Sequence, residues 1–254
     1  MNHFSQQPLD GVWLKKQGIY LLPNLFTLIA LFAGFFSIIQ SINHHFEAAA
    51  LSIFTAMAFD SLDGRIARLT HSQSPFGTEF DSLSDMVSFG VAPAVLSYVW
   101  KLKNMGKFGW MIAFIFCACT ALRLARFNVM AGNTATSKRW FIGMPSPAAA
   151  VLIAGLIWVC YVYHYTRLPH LDWITLVLTA FAGISMVVNI PFWSFKEIHF
   201  NQQIPFTVML GLVLAILFFV YQPPLVLFGC FLCYSLSGYS IALYRCLYRP
   251  HKPS

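Results

Sequence analysis

Four aspartates in the segment FDSLDGRIARLTHSQSPFGTEFDSLSD, residues 59–85, have the type and spacing of metal ligands. Asp60 and Asp63 are three residues apart and Asp81 and Asp85 are four apart, so each pair lies on one face of a helix. The short turn between the two helices makes them antiparallel neighbours, and facing carboxylates repel one another unless cations neutralise them or some are protonated. Because ligand sets of oxygen alone favour Mg²⁺, Mn²⁺ or Ca²⁺ over zinc, the pattern predicts a divalent-metal site. Two such ions could hold a pyrophosphate between them.

Small and basic residues share these two helix faces. Gly64, Ala67 and Arg68 continue the first face, and Gly77 begins the second. Small residues leave room for a phosphorylated ligand, and Arg68 can donate two hydrogen bonds to phosphate oxygens. The alternative is that the glycines and the alanine only allow close helix packing, as small residues do in membranes. Packing explains Gly64 alone equally well, but it does not explain four aligned aspartates.

The helices that carry these residues belong to a strongly apolar chain. Of its 254 residues, 58% are hydrophobic and only 10% are charged, unlike a soluble domain. We therefore expect an all-α integral membrane protein. Apolar runs of about 20 residues predict eight transmembrane helices, near residues 19–41, 46–69, 78–100, 108–130, 147–165, 172–192, 204–221 and 224–246.

Basic residues are distributed unequally between the two sides of the predicted membrane. If both termini are cytoplasmic, twelve of the 16 lysines and arginines lie on that side. This bias favours cytoplasmic termini, a cytoplasmic active site and a bacterial or archaeal cytoplasmic membrane. The net charge of +7 attracts anionic lipid headgroups. A nucleic-acid partner is not expected, because the sequence has no basic face exposed to solvent.

The acidic and small residues together form the pattern Asp60-x2-Asp63-Gly64-x2-Ala67-Arg68-x8-Gly77-x3-Asp81-x3-Asp85. This pattern resembles the signature of the CDP-alcohol phosphotransferase family at every fixed position. The segments GIYLLPNLFTL, FGTEFDSLSDMVSFGVAPA, ALRLARFNV and FIGMPSPAAA further resemble family members that use serine as the acceptor.

The resemblance implies an architecture and a reaction. A six-helix catalytic core would occupy residues 19–192 and two additional helices residues 193–246, between a cytoplasmic segment 1–18 and a cytoplasmic tail 247–254. The chain would form a homodimer in the lipid membrane. The reaction would be metal-dependent transfer of the phosphatidyl group from CDP-diacylglycerol to the hydroxyl of L-serine, which gives phosphatidylserine and CMP.

The resemblance also implies roles for individual residues. Asp60, Asp63 and Asp81 would bind divalent metal, with two Mg²⁺ or Mn²⁺ ions in all. Asp85 would lie near the second ion and act as the general base for the serine hydroxyl. The residues expected to bind the CDP-linked donor are Asp63, Gly64, Ala67, Arg68, Gly77, Asn24 and Thr27.

Two groups of polar residues in this assignment allow a second interpretation. Asn24 and Thr27 are polar where a lipid-facing helix favours Leu, yet ordinary interhelical hydrogen bonding explains them equally well. A second group could bind the donor's phosphate or the serine carboxylate, whereas its arginines could instead anchor a helix end at the membrane interface. This group consists of Arg123, Arg126, Asn128 and Ser146.

Two alternative functions are compatible with the same residues. The signature handles the donor and the metal, so the acceptor could instead be glycerol 3-phosphate, an inositol phosphate or choline. A divalent-cation transporter would also place acidic residues in a membrane. A conduit would, however, need polar groups through the whole membrane thickness, and the acidic residues cluster at one predicted edge.

Overall fold

The computed structural model describes residues 11–70, 72, 74–131, 140–193, 209, 211 and 217–248. Seven long helices form this part of the chain, and residues 217–221 are also helical. The seven are α1 (Gly11–Ile42), α2 (Phe46–Leu69), α3 (Pro75–Trp100), α4 (Lys107–Ala131), α5 (Ser146–Val162), α6 (Leu171–Val187) and α7 (Pro223–Tyr248). Within α3, the residues Met86–Val91 form a π-helix between two α-helical segments.

The apolar composition of the helices agrees with an integral membrane protein. Among the described residues, four stretches are long and apolar enough to cross a membrane, and α5 and α6 are shorter apolar helices. The four stretches are Pro23–Ile42, Pro75–Trp100, Lys107–Met130 and Pro223–Tyr244. The prediction of an all-α membrane protein is therefore confirmed. The predicted helix at 204–221 falls mostly outside the described residues, so the count of eight stays a prediction.

Two short strands accompany the helices. Residues Trp140–Ile142 (β1) pair antiparallel with Pro191–Trp193 (β2), with Trp140 opposite Trp193. The pair continues into α5 through Gly143, which has a φ of +83° and donates a backbone hydrogen bond to the Ile190 carbonyl at 2.9 Å. These strands are not predicted by the sequence, because three residues are too few to show an alternating pattern.

The turn between α2 and α3 is shorter than the sequence analysis predicted. The helix α3 begins at Pro75 instead of near residue 78. Ser74 is its N-cap and accepts a hydrogen bond from the Gly77 amide at 3.0 Å. Proline is favoured at the first position of a helix, so Ser74 and Pro75 together fix this start.

Helix α5 forms the centre of the bundle. Twelve of its 17 residues are buried, and they are mainly alanine, valine, leucine and isoleucine. It packs against α2, α3, α6 and α7. A helix that is apolar on all faces is stable only when other helices surround it or lipid does, and here other helices do.

Helices α1 and α3 approach each other closely at one point. A Cβ atom on Gly34 would lie only 2.6 Å from the Cα of Ser88. Glycine is therefore the only residue that fits at this position without moving the helices apart. The buried hydroxyls of Ser84 and Ser88 donate to the carbonyls of Thr27 at 3.2 Å and Ala30 at 3.1 Å. These contacts fix α3, and with it the second pair of aspartates, against α1.

We expect Gly34→Ala to lower the unfolding temperature of the protein in detergent. The added methyl group must push α1 away from α3, and overpacking of this kind costs about 1–3 kcal/mol. The control is Phe35→Leu at the next position, where the side chain is 56% exposed and faces away from the contact. Equal unfolding temperatures for the two variants would contradict the close approach of α1 and α3.

Candidate active site

Three carboxylates from two helices meet at one end of the bundle. One oxygen from each of Asp60, Asp63 and Asp81 lies within 4.8 Å of the other two. Asp63 is buried, and the other two side chains are partly buried. The structure thus brings together the three residues for which the sequence predicts metal ligation.

Asp85 lies one helical turn after Asp81 and contacts the same group. Its carboxyl group is in hydrogen-bond contact with that of Asp60, and Arg123 of α4 interacts electrostatically with both. Asp85 is the last residue of the first α-helical segment of α3, directly before the π-helix. A carboxyl group between another carboxyl group and a guanidinium can accept and release a proton.

A hydrogen bond from α1 orients Asp63. The Thr27 hydroxyl donates to Asp63 Oδ2 at 2.8 Å and also lies 3.2 Å from the Pro23 carbonyl oxygen. Because the Thr27 carbonyl accepts from Ser84 of α3, Thr27 contacts the elements that carry both pairs of aspartates. Its side chain is therefore an interhelical contact that positions a carboxylate at the site.

The oxygen atoms of the cluster fit a hard cation. Asp81 Oδ1 is buried and has no hydrogen-bond partner among the described residues. A buried carboxylate oxygen without a donor is costly unless a cation binds it. The set has only oxygen ligands, which suits Mg²⁺ or Mn²⁺ better than zinc. Asp60, Asp63 and Asp81 could therefore hold a divalent metal.

The surface of α2 beside the cluster is open. A Cβ atom on Gly64 would have no heavy atom within 4 Å, so helix packing in the described chain does not require glycine there. Ala67 is partly buried, and the exposed Arg68 donates from Nε to the Gly64 carbonyl at 2.8 Å. The arrangement favours ligand access over helix packing as the reason for a small residue at this position.

Gly77 has a different environment from Gly64. A Cβ atom at this position would lie 3.1 Å from Ser74 Oγ and 3.2 Å from Asn24 Oδ1. Glycine therefore allows the first turn of α3 to approach its own N-cap and α1. The same contact places the Asn24 side chain beside the helix that carries Asp81.

The predicted basic group is divided between two locations. Arg123 donates from Nη1 to the Ser146 hydroxyl at 2.6 Å, and this pair lies beside the acidic cluster. Arg126 instead reaches the Val187 carbonyl at the end of α6, at 3.5 Å. Asn128 donates from Nδ2 to the Ser82 hydroxyl at 3.0 Å, which ties α4 to α3 between Asp81 and Asp85.

Two serines that contact the site were not predicted from the sequence. Ser82 and Ser84 lie between Asp81 and Asp85 on α3, and their hydroxyls bond to Asn128 and to the Thr27 carbonyl. Two polar residues at such short spacing in an apolar helix were the available signal.

We expect Thr27→Val to weaken Mn²⁺ binding by about tenfold, because orienting groups around metal ligands typically contribute that much. Valine keeps the shape of threonine and removes the hydroxyl that donates to Asp63. Thr27→Ser keeps the hydroxyl and is expected to bind Mn²⁺ nearly as well as the unaltered protein. Electron paramagnetic resonance of free Mn²⁺ measures the affinity. Equal affinities for the valine and serine variants would contradict this role.

Comparison with known proteins identifies the family. The sequence profile of the CDP-alcohol phosphatidyltransferases matches residues 20–188, more than half of the chain. A protein of Helicobacter pylori named CDP-diacylglycerol–serine O-phosphatidyltransferase is 35% identical over 239 residues, which cover 92% of this chain and 97% of that protein. Proteins of the same name are 40% identical over 146 residues in Mycobacterium leprae and 40% over 140 residues in Methanocaldococcus jannaschii. The first alignment covers 56% of this chain and 48% of the relative, and the second covers 55% and 61%. This chain therefore belongs to the CDP-alcohol phosphatidyltransferase family.

Proposed function

We propose that this protein transfers the phosphatidyl group of CDP-diacylglycerol to the hydroxyl of L-serine, giving phosphatidylserine and CMP. The observation that carries the proposal is the cluster of Asp60, Asp63 and Asp81, with Asp85 in contact with Asp60. The family supplies the reaction class. The Helicobacter pylori relative, which matches along nearly the whole chain, carries the serine-specific name.

The acidic cluster would bind two divalent ions, Mg²⁺ or Mn²⁺. Asp60, Asp63 and Asp81 would be their ligands, with Asp85 near the second ion. When bound, the cations would stabilise negative charge on the pyrophosphate oxygens of the donor. The buried oxygen of Asp81 that has no donor among the described residues supports this assignment.

Asp85 would act as the general base in a direct displacement. It takes the proton from the serine hydroxyl as the serine oxygen forms a bond to the phosphorus of the phosphatidyl group. The bond from that phosphorus to the bridging pyrophosphate oxygen breaks, and this oxygen leaves with CMP. The contact of Asp85 with Asp60 and its interaction with Arg123 support a role in holding this proton.

The CDP-linked donor would lie against the open surface of α2. Gly64 leaves space there, and Arg68 is held next to it by the bond to the Gly64 carbonyl. Ala67, Gly77 and Asn24 would also contribute to donor binding. Thr27 would contribute to donor binding by orienting Asp63.

Arg123 and Ser146 would bind an anionic group of one of the two substrates. Their hydrogen bond brings a guanidinium and a hydroxyl together beside the acidic cluster. The donor's phosphate and the serine carboxylate are both suitable partners for a guanidinium. Arg126 would contribute from α4, where it reaches the carbonyl at the end of α6, and Asn128 would orient α3 through Ser82.

The site would face the cytoplasm of a bacterial or archaeal cell. Donor acyl chains could then remain in the membrane while the cytidine group and free serine meet at its surface. The excess of basic residues on the side of both predicted termini supports this orientation. A catalytic core at 19–192 with two further helices at 193–246, and a homodimer, stay predictions that follow from the family resemblance.

The acceptor is tested by measuring CMP release from CDP-diacylglycerol by the purified protein in detergent with Mg²⁺ or Mn²⁺. We expect turnover with L-serine and background rates with glycerol 3-phosphate, an inositol phosphate or choline. Turnover should stop when EDTA is added in excess and return with Mn²⁺. Turnover with another alcohol in preference to serine would show that this alcohol is the acceptor. Metal flux into vesicles without any CMP release would show that the protein is a transporter and not an enzyme.

We expect Asp85→Asn to lower kcat by at least about a hundredfold, because proton transfer by a positioned base contributes about 10²–10⁴. Binding of CDP-diacylglycerol, measured by equilibrium binding of the radiolabelled donor, should remain largely intact. The control is Glu79→Gln, an exposed carboxylate on the same helix, which should keep normal turnover. Near-normal activity of the Asp85 variant would remove this residue from the base role.

A further inference from the structure

The last helix lies outside the part of the chain that the family profile matches. That match ends at residue 188, whereas α7 spans Pro223–Tyr248. Few residues of α7 are fully buried, as expected for a helix next to lipid. One face is different, because Tyr234, Gly238 and Tyr239 contact the residues around the candidate active site.

The side chain of Phe192, from strand β2, packs directly against Gly238 of α7. Phe192 is fully buried, and its ring lies 5.7 Å from that of Tyr234 and 6.5 Å from that of Tyr239. A Cβ atom on Gly238 would lie 2.6 Å from Phe192 Cζ, so any other residue must displace the ring. Since β2 pairs with β1, this contact fixes the short sheet that leads into α5 and Ser146.

Tyr239 holds the end of α6 in the same region. Its hydroxyl forms a hydrogen bond with Ser185 Oγ at 2.7 Å, and its ring packs against Phe181 at 5.3 Å. The Ser185 carbonyl in turn accepts from the Met144 amide at 2.9 Å, two residues before Ser146. The helix α7 therefore supports the segment that presents Ser146 to Arg123.

Ser146 joins this segment to the basic side of the site. Its hydroxyl accepts from Arg123 Nη1 at 2.6 Å, and Arg123 also interacts electrostatically with Asp60 and Asp85. A shift of the segment that begins α5 would therefore move the hydroxyl that holds this guanidinium.

We propose that α7 is a positioning element for the active site: Tyr239 holds the end of α6 and Gly238 fixes the β1–β2 sheet through Phe192, so that Ser146 is presented to Arg123. The proposal rests on the proposed function for its kinetic test. It assigns a role to a helix beyond the matched family region. The anionic group that Arg123 binds is either the serine carboxylate or the donor's phosphate, and the kinetics distinguish them.

The first test compares Tyr239→Phe with Arg123→Lys. Tyr239→Phe removes the hydrogen bond to Ser185 and should raise the apparent KM of one substrate about fivefold, the scale of one lost hydrogen bond, with kcat within twofold. Arg123→Lys should raise the KM of the same substrate, since lysine lacks the planar donor pair. If both variants raise the KM of serine, Arg123 binds the serine carboxylate. If both raise the KM of CDP-diacylglycerol, Arg123 binds the donor's phosphate. The control is Tyr221→Phe, a side chain that is 78% exposed.

The second test uses two glycines of the same helix. A Cβ atom on Gly229 would meet nothing within 4 Å, whereas one on Gly238 would strike the Phe192 ring. We expect Gly238→Ala to raise the same KM as Tyr239→Phe, and Gly229→Ala to keep both KM values. Because alanine favours helix formation over glycine, a defect specific to the Gly238 variant must come from the displaced ring.

The outcomes separate this proposal from the proposed function. Unchanged KM values in both Tyr239→Phe and Gly238→Ala, with normal turnover in the unaltered protein, would overturn the role of α7. A fall in unfolding temperature without a change in either KM would overturn it equally, since the helix would then only stabilise the fold. Absence of CMP release by the unaltered protein would instead refute the proposed function.

Discussion

Electrostatic repulsion among Asp60, Asp63 and Asp81 is the constraint on which the rest of the structure depends. Their oxygens lie within 4.8 Å of one another, where the low dielectric of a membrane edge makes like charges costly by several kcal/mol unless a cation neutralises them. The helices that carry them must therefore be fixed by other contacts. Helix α1 provides these contacts: Thr27 bonds to Asp63, and the carbonyls of Thr27 and Ala30 accept from two serines of α3.

The same few contacts explain why the site can be rigid at its base and open at its surface. Gly34 and Gly77 are small because another element comes close, to Ser88 in one case and to Asn24 in the other. Gly64 is small where no other described residue approaches. Glycine thus serves two different purposes within one signature, and only the surroundings of each position distinguish them. The open position is the one suited to a bulky nucleotide-linked lipid.

The basic side of the site is assembled from more distant parts of the chain. Arg123 of α4 meets Ser146 of α5, and Tyr234 of α7 packs against Phe192 of the short sheet that leads into α5. The short sheet and the contacts of Tyr239 connect α5, α6 and α7 at this end of the bundle. The acidic side depends on α1–α3, which are neighbours in sequence. The basic side depends on packing across the bundle, and its substrate contacts are therefore sensitive to changes in the last helix.

The sequence by itself determined the membrane class, the positions of six of the described helices to within a few residues and the α2–α3 location of the acidic cluster. Helical periodicity and apolar length are local properties, so Asp60, Asp63 and Asp81 could be grouped by spacing across one short turn. The start of α1 at Gly11, eight residues before the predicted start, lay in a polar segment without that signal. Only the tertiary structure decided that Thr27 orients Asp63, that Arg123 and Arg126 separate, and that α7 reaches the site. Those contacts join residues far apart in the chain, and no local pattern records which helix faces meet.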